Sequence, residues 1–300
     1  MMQLRRYRAQ DAPWVAAFLR DVHRLDPRFD GPEDDAFADF VAQPENREGV
    51  DFVVATDEEG IAAVLLSGRL AELESGRVVR TFKVIVHPRS RELGLEALLI
   101  ERVEGQDETN SAVWRTVFDA ELTALSDALF GRGYRHRQTI LHLRRMGVPP
   151  AIDVLAQELR LRDADPAQDS AGAAQLYNRA HRDAFGFSPI SAAELVAMVG
   201  ARGGRWMVLT HQDAVIGSVR TLPFYGGVGV LQGLEIEPDW QGRGLGKYLA
   251  TVAISALAQH GFRTVEVAVD AENDPAVRLY RALGFETFRR DLTFEGNPQA

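Results

Sequence analysis

At Leu231-Gln232-Gly233-Leu234-Glu235-Ile236-Glu237-Pro238-Asp239-Trp240-Gln241-Gly242-Arg243-Gly244-Leu245-Gly246-Lys247 the sequence passes from a strand through a glycine-rich turn into a helix. Pro238 has no N–H to give to a ladder and ends the strand. Leu249, Val252, Ala253, Leu257 and Ala258 recur at helical spacing, which predicts a helix from Gly246 to His260. Glycines at 242, 244 and 246 take side chains out of the turn, so consecutive backbone N–H groups can close on an anion. The helix N-terminus adds partial positive charge, and Arg243 and Lys247 add full charges. Pyrophosphate is the natural guest of such a turn. Two other phosphate loops do not fit: Lys247 is followed by Tyr248 where the P-loop needs Ser or Thr, and G-x-G-x-G is not the G-x-G-x-x-G of dinucleotide-binding folds.

Downstream, Thr264 to Val269 reads as a strand, and Asp270-Ala271-Glu272-Asn273-Asp274-Pro275 leads into a helix that carries Val277, Leu279, Tyr280 and Leu283 and closes at Gly284. Gln241 to Gly246, Asn273, and Leu279-Tyr280-Arg281-Ala282-Leu283-Gly284-Phe285 together resemble the GNAT superfamily of acyl-CoA N-acyltransferases, over about the last 100 residues. The resemblance implies acetyl-CoA as acyl donor, with its pyrophosphate on the backbone of Gln241, Gly242, Arg243, Gly244, Leu245 and Gly246 and with Arg243 and Lys247 near phosphate. It implies a pantetheine arm hydrogen-bonded along Leu234 to Ile236, with Asn273 on its other side, and Tyr280 protonating the departing thiolate. Read without the family, Tyr280 is equally a core residue and Asn273 equally a helix N-cap.

Acyl transfer to an amine also needs a group to accept the nucleophile's proton. Val230 and Gln232, where the family often places a base, are not bases. Glu235 is the nearest carboxylate and is the expected base, although strand alternation turns it from the cleft unless a bulge intervenes. Glu266 and Asp270, on one face of the next strand, are the alternatives. The acceptor pocket is expected to involve the loop His181-Arg182-Asp183-Ala184-Phe185-Gly186-Phe187-Ser188-Pro189. With no cysteine and no serine in a nucleophile elbow, direct attack of the amine on the thioester is expected, with no covalent enzyme intermediate. The rival reading is a non-catalytic acyl-CoA-binding sensor or scaffold.

The first half repeats the second. Val84-Ile85-Val86-His87-Pro88 matches Leu234-Glu235-Ile236-Glu237-Pro238 at an offset of 150 residues, and Gly133-Tyr134 matches Gly284-Phe285 at 151. Phe52-Val53-Val54-Ala55 with Ile61 to Leu66, and Trp206-Met207-Val208-Leu209 with Val215 to Leu222, form matching strand hairpins. A whole domain has been duplicated. The expected fold is α/β: two tandem GNAT-like domains of the two-domain, mycothiol synthase type, each a mixed, mostly antiparallel sheet with helices on both faces. The expected boundaries are 1–148 and 149–300, with Pro149-Pro150 in the linker and a short helix over residues 151–158. A strand at Leu159 to Arg162 and a helix over 173–184 open the second copy.

The copies are not equivalent. Glu92 and Glu96 stand where Gly242 and Gly246 do, Leu122 where Asn273 does, and Leu129 where Tyr280 does. The first copy is expected to fold, to turn over no acyl-CoA and to shape the acceptor cleft of the second.

The 300 residues include 46% hydrophobic and 26% charged residues, ordinary for a globular chain. A net charge of −9, spread evenly over both halves, has the wrong sign for gripping nucleic acid. No apolar run spans a membrane, and zero cysteines exclude a disulfide scaffold or thiolate metal site, so a cytoplasmic enzyme acting on a small-molecule amine, with no metal, is expected.

Overall fold

A computed structural model describes residues 2–26, 29, 37, 41, 51–72, 77–105, 112–200, 204–224 and 227–297. The chain forms two compact units, Met1–Thr139 with Asp291–Ala300, and Ile140–Arg290.

In the first unit, strand β1 (Gln3–Arg6) is followed by helix α1 (Ala12–Leu25), the hairpin β2 (Phe52–Asp57) and β3 (Gly60–Glu72), then β4 (Val78–Val86), α2 (Leu95–Glu104), β5 (Val113–Asp119) and α3 (Thr123–Gly131). The strand order is β1-β2-β3-β4-β5, and all pairs are antiparallel except β4 with β5, which run parallel over Val79–Thr81 and Val113–Arg115 only. Strand alternation feeds two cores. Phe52 and Val54 pack with Val15, Phe18 and Leu19 of α1, whereas Val53 and Ala55 pack with Leu99, Ile100 and Val103 of α2.

The second unit repeats the plan with β7 (Leu159–Asp163), α4 (Pro166–His181), α5 (Ala192–Gly200), β8 (Arg205–His211), β9 (Ala214–Phe224), β10 (Val228–Ile236), α6 (Leu245–Gln259), β11 (Thr264–Asp270) and α7 (Asp274–Ala282). Here β10 and β11 are the parallel pair, over Val228–Val230 and Thr264–Glu266, after which the pairing stops. Leu249, Ile254 and Leu257 of α6 are buried against Leu231, Ile236 and Val267. Each such side chain contributes about 1.5–3 kcal/mol by leaving water.

Each unit has a sixth strand, which the first unit takes from the end of the chain and the second from the stretch just ahead of β7. Residues 140–146 of β6 (Arg135–Met146) pair antiparallel with β11, and residues 291–296 of β12 (Glu286–Gly296) pair antiparallel with β5. The sequence repeat divides near residue 148, and the compact units instead exchange their last strands.

Three local expectations need correction. The helix expected over 173–184 runs Pro166–His181, because Asp165 caps it (Oδ1 accepts from Ala167 N, 2.9 Å) and Pro166 opens it. Residues 151–158 form no helix. That segment is instead held by Asp153, ion-paired to Lys247 at 2.9 Å, and by Leu155 against the core. The helix expected from Gly246 begins at Leu245, after Gly244 in the left-handed region at φ 80°. Among the described residues no helix is long and apolar enough to cross a membrane, and no group of three or more His, Cys, Asp or Glu could hold a metal ion.

Candidate active site

Past Pro238 the chain makes one turn of 3-10 helix to Trp240, and the glycine turn follows with Gly242 at φ 74° and Gly244 at φ 80°, values a side chain adopts at a cost. Tyr248 N–H, bonded to Gly244 O at 3.0 Å, is the first to find a helical acceptor. The amides of Leu245, Gly246 and Lys247 therefore point off the end of α6. Gln241 Nε2 donates to Ile236 O at 3.0 Å and ties the turn to the end of β10. Arg243 lies over the Trp240 ring at 4.7 Å and donates to Asp239 O at 2.9 Å. Lys247 is exposed and reaches Asp153. Both cations thus border the turn from the surface while the backbone fills its centre.

The split between β10 and β11 exposes the edge of β10 at Leu234 to Ile236, next to that turn. Across it, Asn273 caps α7: its Oδ1 accepts from Ala276 N at 3.2 Å. Tyr280, one face round the same helix, is buried at 5% exposure and meets Phe285 edge-on at 5.6 Å between centroids. Burial, with the Glu235 charge adding to it, pushes the Tyr280 phenol well above its ordinary range, so the group keeps its proton at neutral pH.

Glu235 occupies the other flank. The register of β10 against β9 slips between Leu231 and Gly233, leaving Gln232 as a bulge residue. Glu235 is 2% exposed and Arg220 1%. The two form a bidentate pair, Nη1 to Oε2 at 3.0 Å and Nη2 to Oε1 at 2.5 Å. His181 Nε2 stands 3.4 Å from Glu235 Oε1. Burial acts against the ionised carboxyl, but Arg220 and His181 outweigh it and hold Glu235 below the usual carboxylate range. Gly233 makes room for this pair, since a Cβ there would overlap the Arg220 guanidinium. Of the alternative carboxylates, Glu266 is tied to Arg144 at 2.6 Å, and Asp270 accepts from Glu272 N at 2.9 Å.

The turn, the exposed strand edge, Asn273 and Tyr280 thus come together at one split in the sheet, with Glu235 close enough for its charge to reach Tyr280. Arg220 and the contact of His181 with Glu235 were missed from the sequence. A signal was present: Arg220 is the one charged residue in the apolar run from Val215 to Leu222, and a buried guanidinium needs a partner.

Residues 171–285 match the model of the family described as "Acetyltransferase (GNAT) family". This segment is a GNAT acetyltransferase domain. The chain is 25% identical over 224 residues to the mycothiol acetyltransferase of Thermomonospora curvata, covering 72% of this chain and 73% of that one. It is 42% identical over 72 residues to that of Thermobifida fusca, covering 24% of this chain and 22% of its relative. Two solved structures share the fold end to end. A GCN5-related N-acetyltransferase from Sphaerobacter thermophilus has a TM-score of 0.73 at 22% identity, covering 98% of this chain and 95% of that one. A tandem GNAT protein from the clavulanic acid biosynthesis pathway has a TM-score of 0.74 at 17% identity, covering 99% and 98%. The tandem GNAT fold and the acetyl-CoA-dependent acetyltransferase class of the sequence reading are therefore those of its relatives.

Proposed function

We propose that the chain is an N-acetyltransferase that moves an acetyl group from acetyl-CoA to an amine by direct attack, with its active site in the C-terminal half. The observation that carries this reading is the meeting of the amide-lined turn at Gln241 to Lys247 with the open edge of β10 and the buried, un-ionised Tyr280. The pyrophosphate lies on the turn, with Arg243 and Lys247 alongside, and the pantetheine arm runs along Leu234 to Ile236, with Asn273 opposite. Tyr280 gives its proton to the departing sulfur. Its raised affinity suits that task, because the burial that keeps the phenol protonated also makes an unprotonated thiolate unfavourable there. Glu235 belongs to the proton-accepting side. The acceptor is a small amine, and the reading includes a cytoplasmic location, in keeping with a chain that holds no cysteine.

The N-terminal half is a folded copy without turnover. Its counterpart groove is a cavity of about 50 Å³ lined in part by Lys83, Arg91, Glu96, Phe118 and Asp119. Calorimetry with acetyl-CoA, followed by acetylation assays on a panel of small primary amines including the acceptor of the mycothiol acetyltransferases, tests both statements. One acetyl-CoA per chain and turnover of at least one amine are expected. Saturable binding of two per chain overturns the account of the N-terminal half, and binding without turnover of any amine turns the reading to an acyl-CoA sensor.

A further inference from the structure

The pair Arg220–Glu235 lies in a register that both halves share, and so the fold carries its own control. In β9 and β10, Arg220 faces Gly233 and Ser218 faces Glu235. In β3 and β4, Leu66 faces Lys83 and Val64 faces Ile85. The places of Ser218, Arg220 and Glu235 are thus taken by Val64, Leu66 and Ile85, which are buried in the apolar core against α1. The fold does not require charge there, and apolar residues usually serve stability in such a place at least as well as a buried ion pair does. Another ion pair shows what a structural role looks like in this chain. Arg5 holds Asp11 at 2.6 and 2.9 Å in the first half, and Arg162 holds Asp169 at 2.6 and 2.8 Å in the second, each at the start of the first helix. That pair is kept twice; the Arg220–Glu235 pair is made once, in the half that carries Tyr280.

The buried pair also has an outlet. His181 is the last residue of α4, and its ring is partly exposed at 39% beside a Glu235 side chain that is 1% exposed. Tyr177, one turn earlier, lies against it with the rings tilted and 4.5 Å between centroids. The Arg220 guanidinium lies 5.7 Å over that same Tyr177 ring and 3.4 Å from Ser218 Oγ, which in turn accepts from Trp206 Nε1 at 3.0 Å. With Nε2 facing a carboxylate, the hydrogen-bond partner assigns the proton to Nε2 and leaves Nδ1 as the acceptor nitrogen of the ring. A separation of 3.4 Å is long for a hydrogen bond, and such contacts commonly tighten when substrate closes the site.

We propose that His181 is the residue that takes the proton from the acceptor amine, and that Glu235, clamped by Arg220, is a positioning residue that fixes the imidazole. This rests on the acetyltransferase reading and deepens it by moving the proton one residue outward from Glu235. The amine nitrogen attacks the thioester carbon and forms the C–N bond, while the carbonyl pair moves to oxygen. The adduct's N–H proton passes to His181 Nδ1. The oxygen pair then returns, the C–S bond breaks with its electrons on sulfur, and the sulfur takes the Tyr280 proton. The groups of either sign around His181 are Glu235 and Glu237 on β10, Arg220 on β9, Tyr177 and Arg179 on its own helix, and Arg182 and Asp183 just past its end, with Arg179 and Glu237 paired at 2.8 Å.

The test compares wild type, His181→Gln, Glu235→Gln and the double variant Arg220→Leu/Glu235→Ile, which imports the residues of the other half. Turnover against pH is read together with calorimetric acetyl-CoA affinity and thermal midpoint. Loss of kcat/KM for the amine by about a hundredfold or more in His181→Gln, disappearance of the acidic limb of the profile and unchanged acetyl-CoA affinity are expected. The double variant is expected to fold with its thermal midpoint kept and to lose the same limb, with no further loss when His181→Gln is added. An active wild type with an unaltered His181→Gln profile, or a double variant that retains the limb, overturns the proposal and leaves the acetyltransferase reading intact. A wild type that acetylates no amine sinks that reading first.

Discussion

Gly94 and Gly244 stand one residue ahead of their helices, at φ 68° and φ 80°, and around this shared hinge the two turns differ in chemistry. One turn carries Glu92 and Glu96, the other Gly242 and Gly246. The same separation recurs at the next helix. Leu122 and Asn273 hold nearly identical backbone angles, φ −80° and ψ 66° against φ −79° and ψ 68°, but only Asn273 caps with its side chain. Further along, Tyr134 N–H bonds to Leu129 O and Phe285 N–H to Tyr280 O, both at 3.0 Å, and the hydroxyl has changed place: the strand residue Tyr134 holds it in the first half and the helix residue Tyr280 in the second. Backbone geometry and burial answer to packing and are present in both halves. The capping amide of Asn273 and the helix hydroxyl of Tyr280 are present in one.

Exchanging residues between the halves tests that division. Tyr280→Leu, which imports Leu129, is expected to have the largest effect, lowering kcat by about 10²–10⁴-fold with acetyl-CoA affinity unchanged by calorimetry. Equal losses in kcat and affinity would make Tyr280 a packing residue. Gly246→Glu comes next. Its Cβ meets Leu279 and Leu234 only at ordinary contact distances of 3.5 and 3.9 Å, so the expected damage is electrostatic. A carboxylate at the phosphate turn is expected to weaken acetyl-CoA binding about a hundredfold, equivalent to about 2.7 kcal/mol, with the effect shrinking as salt is added. A loss independent of ionic strength would point to a blocked turn instead.

The duplication itself was legible because matching strands and turns recur at one offset, and the glycine turn was legible because glycine, proline and cation spacing is local. What escaped the sequence is not local. Nothing in the apolar pattern of Arg135–Met146 or Glu286–Gly296 says which sheet edge each strand joins, so their exchange could not be read. The helix from Pro166 was placed late because Ala167, Ala171, Gly172 and Ala173 give it little apolar periodicity, although Asp165-Pro166 was a start signal. For Glu235, alternation alone could not decide which way it faced; the bulge at Gln232 sets its facing, and Arg220, fifteen residues upstream, determines its charge state.

The smaller effects lie where the halves differ in stability. Asn273→Leu is expected to cost about 1 kcal/mol in chemical denaturation from the lost cap, with a weaker acetyl-CoA affinity beside it; a stability loss alone would leave Asn273 a cap and nothing more.

Glu96 offers the converse case, a charge kept where the fold is poorer for it. The side chain is 6% exposed, its Oε2 has no hydrogen-bond partner, and burial raises its proton affinity above the ordinary glutamate range. The folded state therefore holds the proton more tightly than the unfolded one. Its contribution to stability is complete below the ordinary glutamate value and is lost as pH rises through the raised one. Glu96→Gln is accordingly expected to match wild type near pH 4 and to exceed it at pH 7 by about 1 kcal/mol, read as a rise of a few degrees in thermal midpoint. If the difference instead stays flat across that range, the carboxyl is already compensated in the groove, and the N-terminal half is less an eroded copy than a site with a cationic occupant of its own.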